Sequence, residues 1–243
     1  MSLGLARRAS AEFAGTALLV TAVVGSGIAA VRLSPTDVGL QLLENALATA
    51  LALGALILTF GPVSGAHFNP VVSAVDWWLG RRAGTGLTGR DLAAYMAAQT
   101  GGAIAGAVLA NLMYDLPALA WSRTTRSGEH LWLAEAVATA GLVLLVFALA
   151  RSGRTTATPA AVGAYIGAAY WFTSSTSFAN PAVTIGRSVT DTFAGIAPAS
   201  VPGFVAAQLV GGLIAVAALT AWYPHAAGVA DAVVVPHLAE ENR

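Results

Sequence analysis

The chain has 243 residues, 56% of them hydrophobic and only 10% charged, with a mean hydropathy of +0.70. A soluble domain carries about 45–50% apolar and about 25% charged residues, so this composition describes an integral membrane protein. The formal net charge is zero, all 12 basic residues are arginine and cysteine is absent. No basic tract is left for nucleic acid, and disulfides, thiolate metal sites and cysteine nucleophiles are excluded together.

The leading "MSLGLARRAS" has the charge of a signal-peptide start, but the apolar run behind it is too long and no cleavage site follows. It reads as a cytoplasmic lead into the first span. A bilayer core takes about 20 mostly apolar helical residues, and six stretches qualify: 11–31, 38–60, 91–113, 131–150, 158–176 and 202–223. An even count places both termini on one side. Arg7, Arg8, Arg81, Arg82, Arg90, Arg151 and Arg154 fall on that side and Arg32, Arg123, Arg126 and Arg187 on the other, so the positive-inside rule makes the termini cytoplasmic.

Between spans two and three, and again between spans five and six, the chain carries an Asn-Pro pair, in "SGAHFNPVV" from Ser64 and in "SFANPAVTIGR" from Ser177. Asparagine is a preferred N-cap, and proline at the next position lacks the N–H that would be orphaned there, so each pair is a helix-start signal. The predicted helices are "PVVSAVDWWLG" and "PAVTIGRSVTDTFAG", each closed by glycine and each too short to span. Other stretches repeat as well: "AEFAGT" and "AEAVAT" open the first and fourth spans, and "AAQTGG" and "AAQLVGG" lie in the third and sixth. The halves, about 1–113 and 131–223 of a single domain 1–243, each hold three spans. An odd number inverts the second half relative to the first, and inverted halves with broken helices place a site at the midplane. Gly102, Gly106, Gly211 and Gly212 would let the third and sixth spans pack closely.

Two half-helices entering from opposite faces, the Ala-Glu openings, "SGAHFNP", the Ala-Gln pairs and the second Asn-Pro-Ala together resemble the aquaporin family over nearly the whole chain. The resemblance implies an all-α membrane protein of six transmembrane helices plus two re-entrant half-helices in inverted repeat. It implies a passive channel rather than an enzyme, with no cofactor or metal, working as a homotetramer in the cell (inner or plasma) membrane. Its partners are then lipid and small neutral solutes, with no nucleic acid. The pore centre maps to Asn69, Pro70 and Val71 and to Asn180, Pro181 and Ala182. Each asparagine carbonyl can cap its half-helix while its NH₂ faces the lumen; in the family the two amides hold the oxygen of a passing solute. The facing N-termini, each presenting roughly half a positive charge, repel cations and orient water oxygen-inward, which breaks a proton wire.

Glu12 and Glu135 are intramembrane acids at matching repeat positions. Such acids suggest a proton relay, but their symmetry suits carboxylates that accept hydrogen bonds from the non-helical backbone leading into each half-helix, the use the family makes of them. His67 is read as a histidine holding that loop, with a pH sensor as the other reading. Asn45, one turn from Thr49, is read as lining the outer vestibule and Glu44 as a subunit contact, each against a plain interfacial position.

Family members narrow at four positions that include a large aromatic and an arginine. Counted without gaps from the motifs, these map to Thr49, twenty before Asn69, and to Ala168, Ser177 and Val183, twelve before, three before and three after Asn180. None is aromatic or charged, so the expectation is a ring wider than that of a water channel or a typical glycerol facilitator, the other reading being that Tyr170, Trp171, Phe172 or Phe178 fills the space from an adjacent position. Arg187 lies one helical turn beyond Val183 and is either the filter arginine displaced outward or a surface arginine paired with Asp191. Asn-Pro-Val at Val71 and a small residue in place of the filter arginine look like the branch associated with arsenic handling in bacteria, whose solutes include neutral arsenous acid and methylated arsenicals. A coupled transporter would need ionisable groups at the midplane beyond Glu12 and Glu135. An intramembrane enzyme would need more than four scattered histidines, at positions 67, 130, 225 and 237.

Overall fold

The computed structural model describes residues 3–81 and 84–223; Arg82, His225 and His237 lie outside the described residues. The elements are all helical: α1 (Leu5–Leu33), α2 (Val38–Ser64), α3 (Pro70–Gly80), α4 (Gly89–Met113), α5 (Glu129–Arg151), α6 (Thr158–Phe172), α7 (Pro181–Gly186) and α8 (Val201–Trp222). Short 3-10 turns precede α6 and α8 and extend α7 over Arg187–Val189. The helices α1, α2, α4 and α5, and α8 with the turn before it, are each long and apolar enough to cross a membrane. They bury only part of their apolar surface within the chain, and Leu47, Leu51, Leu58, Leu133 and Leu213 stay exposed, as a lipid-facing or subunit-facing surface requires.

The fifth crossing is shorter than the sequence predicts. α6 has 15 residues, about 22 Å at 1.5 Å per residue, and stops at Phe172 rather than near 176. Residues 173–179 complete the passage toward the midplane as irregular chain. The second half-helix is shorter too. The expected run to Gly195 ends as α-helix at Gly186, because the Ser188, Thr190 and Thr192 hydroxyls take over local bonding: Ser188 donates to the Ile185 carbonyl, and Thr190 donates to Asn111 Oδ1 at 2.7 Å. Hydroxyl side chains of this kind compete with the helical ladder. The first half-helix ends at Gly80, where the sequence puts it.

Each half is knitted by its first and last long helix, α1 on α4 and α5 on α8, while α2 packs on α1 and α6. Small residues permit this. A methyl group added at Gly102 or Gly106 would stand 2.3 or 2.1 Å from a carbonyl oxygen of α1, and one at Gly211 would stand 2.4 Å from the Ala136 oxygen of α5. The closely packed partners of α4 and α8 are therefore the first helices of their own halves, an arrangement driven by contact rather than by hydrophobic transfer, which lipid does not supply.

Candidate functional site

The chain reaches each half-helix through a loop built on one plan. Left-handed φ values occur at Gly65 (86°), Ala66 (50°) and Phe68 (49°) before Asn69, and at Thr176 (60°), Ser177 (49°) and Ala179 (48°) before Asn180. A left-handed backbone at a non-glycine residue costs of order 1 kcal/mol, most for a β-branched one such as Thr176, so the surroundings must hold it. They do so in the same way twice. The Ser64 and Ser175 hydroxyls accept from the N–H two residues on, at Ala66 and Ser177. Glu12 accepts from the His67 and Phe68 N–H groups at 3.0 and 2.7 Å, from Ser64 Oγ at 2.6 Å and from Gln99 Nε2 at 2.8 Å. Glu135 accepts from the Phe178 and Ala179 N–H groups at 2.8 Å each and from Gln208 Nε2 at 2.7 Å. Both carboxylates are fully buried, and every contact made to them is a donor.

The two halves meet through the asparagines. Asn69 Oδ1 caps the Val71 N–H at 2.9 Å and its Nδ2 donates to the Ala179 carbonyl at 2.7 Å. Asn180 Oδ1 caps the Ala182 and Val183 N–H groups at 3.0 and 3.2 Å, and its Nδ2 donates to the Phe68 carbonyl at 2.7 Å. Each amide thus spends one hydrogen on the opposite loop and keeps the second free of this clasp. Pro70 and Pro181 sit first in their helices, where no N–H is needed, and Val71 and Ala182 follow, fully buried.

Both asparagines line an internal cavity of ≈ 60 Å³. The two loops contribute His67, Asn69, Ser177 and Asn180 to its lining, beside Phe68 and Phe178. The helices contribute mainly apolar side chains, Leu19 and Val23 of α1, Leu53 and Ile57 of α2, Leu142 and Val146 of α5, and Val162 and Ile166 of α6. His67 Nδ1 lies 3.0 Å from Ser73 Oγ.

The narrow ring differs from its sequence mapping at one position. Thr49, Ser177 and Val183 line the cavity, but Ala168 is exposed on the outside of α6. The inward row of α6 is Thr158, Val162, Ile166 and Tyr170, so an aromatic takes the place assigned to alanine. Tyr170 is buried, with its hydroxyl 3.3 Å from Thr49 Oγ1. The expectation of four small side chains is corrected accordingly. Asn45 is also displaced from its expected role: it is buried and donates to the Val23 carbonyl and to Ser26 Oγ, both at 2.8 Å, tying α2 to α1 away from the cavity wall. Glu44 accepts from Ser34 Oγ at 2.7 Å. Arg187 does not pair with Asp191, which bonds Arg123 instead. It is 2% exposed, lines the cavity, donates through Nε to the Ala194 carbonyl and lies with its guanidinium 3.4 Å from the centre of the Phe178 ring.

Four side chains carry more of the scaffold than the sequence reading gave them. Gln99 and Gln208 each bridge a buried carboxylate to a hydroxyl on the nearby half-helix, Ser73 Oγ and Thr184 Oγ1, both at 2.9 Å. The signal was present: the glutamines are the third residue of the repeated Ala-Ala-Gln, and the hydroxyls stand four residues after each asparagine. Among the described residues no group of histidine and carboxylate side chains is placed to hold a metal ion.

Six crossings in inverted halves, two half-helices clasped at the midplane and an internal cavity between them define a multi-pass membrane channel. The model of the major intrinsic protein family matches residues 1–179. Aquaglyceroporin AqpS of Rhizobium meliloti (strain 1021) is 54% identical over 213 residues, 88% of each chain. Aquaporin-2 of Homo sapiens is 34% identical over 167 residues, 65% of this chain and 58% of the relative. In fold, the aquaglyceroporin of Plasmodium falciparum superposes with a TM-score of 0.66 at 20% identity, covering 91% of this chain and 97% of that one. The chain belongs to the major intrinsic protein family, a family of channels and not of enzymes.

Proposed function

We propose that the chain is a passive channel for small uncharged polar solutes, glycerol-like molecules and water, acting as one domain over residues 1–243. The observation that carries this reading is a cavity lined both by polar groups of the two loops and by leucine, isoleucine and valine of the surrounding helices. A polyol presents hydroxyls along one edge and CH groups along the other, so it can trade hydration for loop contacts without leaving its carbons against polar groups. Asn69 and Asn180 supply amide hydrogens at the midplane, where a solute oxygen would pass. The capped N-termini of α3 and α7 add positive potential there, which opposes cations and keeps a water at the centre oriented with its oxygen toward the amides, so that protons are not relayed.

Neutral arsenous acid and methylated arsenicals extend the solute range in this proposal, on the strength of Val183 and Val71 in place of the residues more usual in the family. With no cysteine in the chain, they would pass by size and hydrogen bonding and never by thiol capture. The reading includes a homotetramer in the cell (inner or plasma) membrane with cytoplasmic termini, the latter resting on the arginine bias of the loops. Flux of water, glycerol, urea and arsenous acid into proteoliposomes, with and without a proton gradient, tests it. Faster glycerol entry than into protein-free vesicles, indifferent to the gradient, is the expected result; entry that follows the gradient would instead mark a coupled transporter.

A further inference from the structure

The half of the cavity nearer the chain termini is walled by Leu53, Ile57, Val146 and Val162, and one side-chain hydroxyl stands among them, that of Thr158. Thr158 is the first residue of α6 and heads its inward row, with Val162 one turn on. Tyr170 lies twelve residues further along the same helix, about 18 Å away at 1.5 Å per residue, so Thr158 is remote from the narrow ring. The start of α6 is firmly seated. The Thr158 N–H donates to the Thr155 carbonyl of the preceding 3-10 turn, and a methyl group added at Gly54 of α2 would stand 3.2 Å from the Pro159 oxygen.

A threonine hydroxyl at a helix start ordinarily caps an N–H two or three residues on. Thr158 does not: the residue is fully buried, and its Oγ1 has no hydrogen-bond partner among the described residues. Pro159, the residue that follows, has no N–H to offer. Thr16 and Thr139 also bury an unbonded hydroxyl, but neither lines the cavity. Valine has nearly the same shape as threonine, and a hydroxyl that is buried and unbonded gives up its hydration without return. At Thr158, therefore, a molecule inside the cavity is what can supply the missing partner.

We propose that Thr158 is a solute-binding residue at the inner end of the cavity, a hydrogen-bonding station between the asparagine amides and the mouth nearer the chain termini. Its hydroxyl both donates and accepts, so it takes the hydroxyl of a neutral polyol, whose CH groups rest on Leu53, Ile57, Val146 and Val162. A polyol has several hydroxyls to desolvate at once and depends on this station more than water does.

This inference rests on the channel reading above, and the experiment separates the two. Full-length wild type, Thr158→Val, Thr158→Ser and Thr16→Val are compared in proteoliposomes at matched protein content by glycerol-to-water permeability ratio, with thermal stability of the detergent-solubilised protein measured alongside. Thr158→Val removes an unbonded hydroxyl, so stability should hold or rise while the ratio falls about threefold or more, the size of one lost hydrogen bond. Thr158→Ser keeps the hydroxyl and should recover most of that loss. Thr16→Val deletes a buried unbonded hydroxyl away from the cavity and should leave the ratio at the wild-type value. A ratio unchanged in Thr158→Val overturns the proposal, and so does an equal fall in Thr16→Val, which would make the effect one of packing. A loss of stability in Thr158→Val also overturns it, because the hydroxyl is then structural. Wild-type vesicles no more permeable to glycerol and water than empty ones would sink the channel reading, and this inference with it.

Discussion

The two loops that lead to Asn69 and Asn180 are near-copies up to the asparagines and diverge beyond them. Before the asparagines, serine, left-handed residues, buried glutamate and glutamine recur position by position. After them, α3 runs 11 residues to Gly80, whereas α7 runs six and breaks into a 3-10 turn that carries Arg187. The cavity follows the same division. Its half near the chain termini is walled by Leu53, Ile57, Val146 and Val162, and the far half gathers Thr49, Tyr170, Ser177 and Arg187. The shared part builds the scaffold, and the part that differs is where the proposed function puts solute discrimination.

The largest effect should come from breaking the shared part. Glu12→Ala takes the acceptor from four donors and Glu135→Ala from three, and the loop N–H groups left unbonded, at His67 and Phe68 and at Phe178 and Ala179, cost about 1–3 kcal/mol each. Both variants should lose assembled protein by size-exclusion chromatography, Glu12→Ala the more severely, and wild-type yields from either would detach the acids from the loops. Next come the clasps. Asn180→Ala and Asn69→Ala each remove a cap worth about 1 kcal/mol and one bond between halves, and Asn180 caps two N–H groups against one for Asn69. Both should lower flux and melting temperature, Asn180→Ala further; two variants that conduct and melt like wild type would move the pore away from these motifs.

The comparison sharpens at the third residue after each asparagine, Val72 and Val183, both on the cavity wall. Val183→Arg puts a long side chain with five donors into a ring of Thr49, Tyr170 and Ser177. Stopped-flow light scattering should show the glycerol-to-water permeability ratio falling several-fold, with Val183→Ala close to wild type; an unchanged ratio in Val183→Arg would take Val183 out of the constriction. The smallest effect is expected at Ala168, which faces outward: Ala168→Leu should leave permeabilities within error of wild type, while Tyr170→Ala raises the glycerol rate.

Most of the scaffold was legible because it depends on rules local to a few residues. Asn-Pro starts a helix for reasons contained in two side chains, and paired acids in paired spans predict paired acceptors. Ala168 differs from its mapping because the position is counted back twelve from Asn180 without gaps, across a stretch that sets no fixed register for α6. The chain from 173 to 179 is irregular, so helical phase is lost across it and the inward face of α6 comes from Tyr170 and Ile166. Asn45 was misread for another reason: a polar residue inside a span satisfies itself either in the lumen or on a neighbouring helix, and the sequence does not say that the Val23 carbonyl and Ser26 are within reach. The end of α7 depends on Asn111 of a distant helix, which no window around Asn180 contains.

The clasp between halves also constrains how the chain matures. Synthesis delivers Phe68 and Asn69 to the membrane well before Ala179 and Asn180 exist, yet each pair needs the other for its carbonyl or its amide. During that interval the first loop has its glutamate but no opposite loop, and its polar backbone faces a hydrocarbon medium that cannot solvate it. The first half alone therefore lacks the partners of its clasp, and both clasp bonds require both halves to be present.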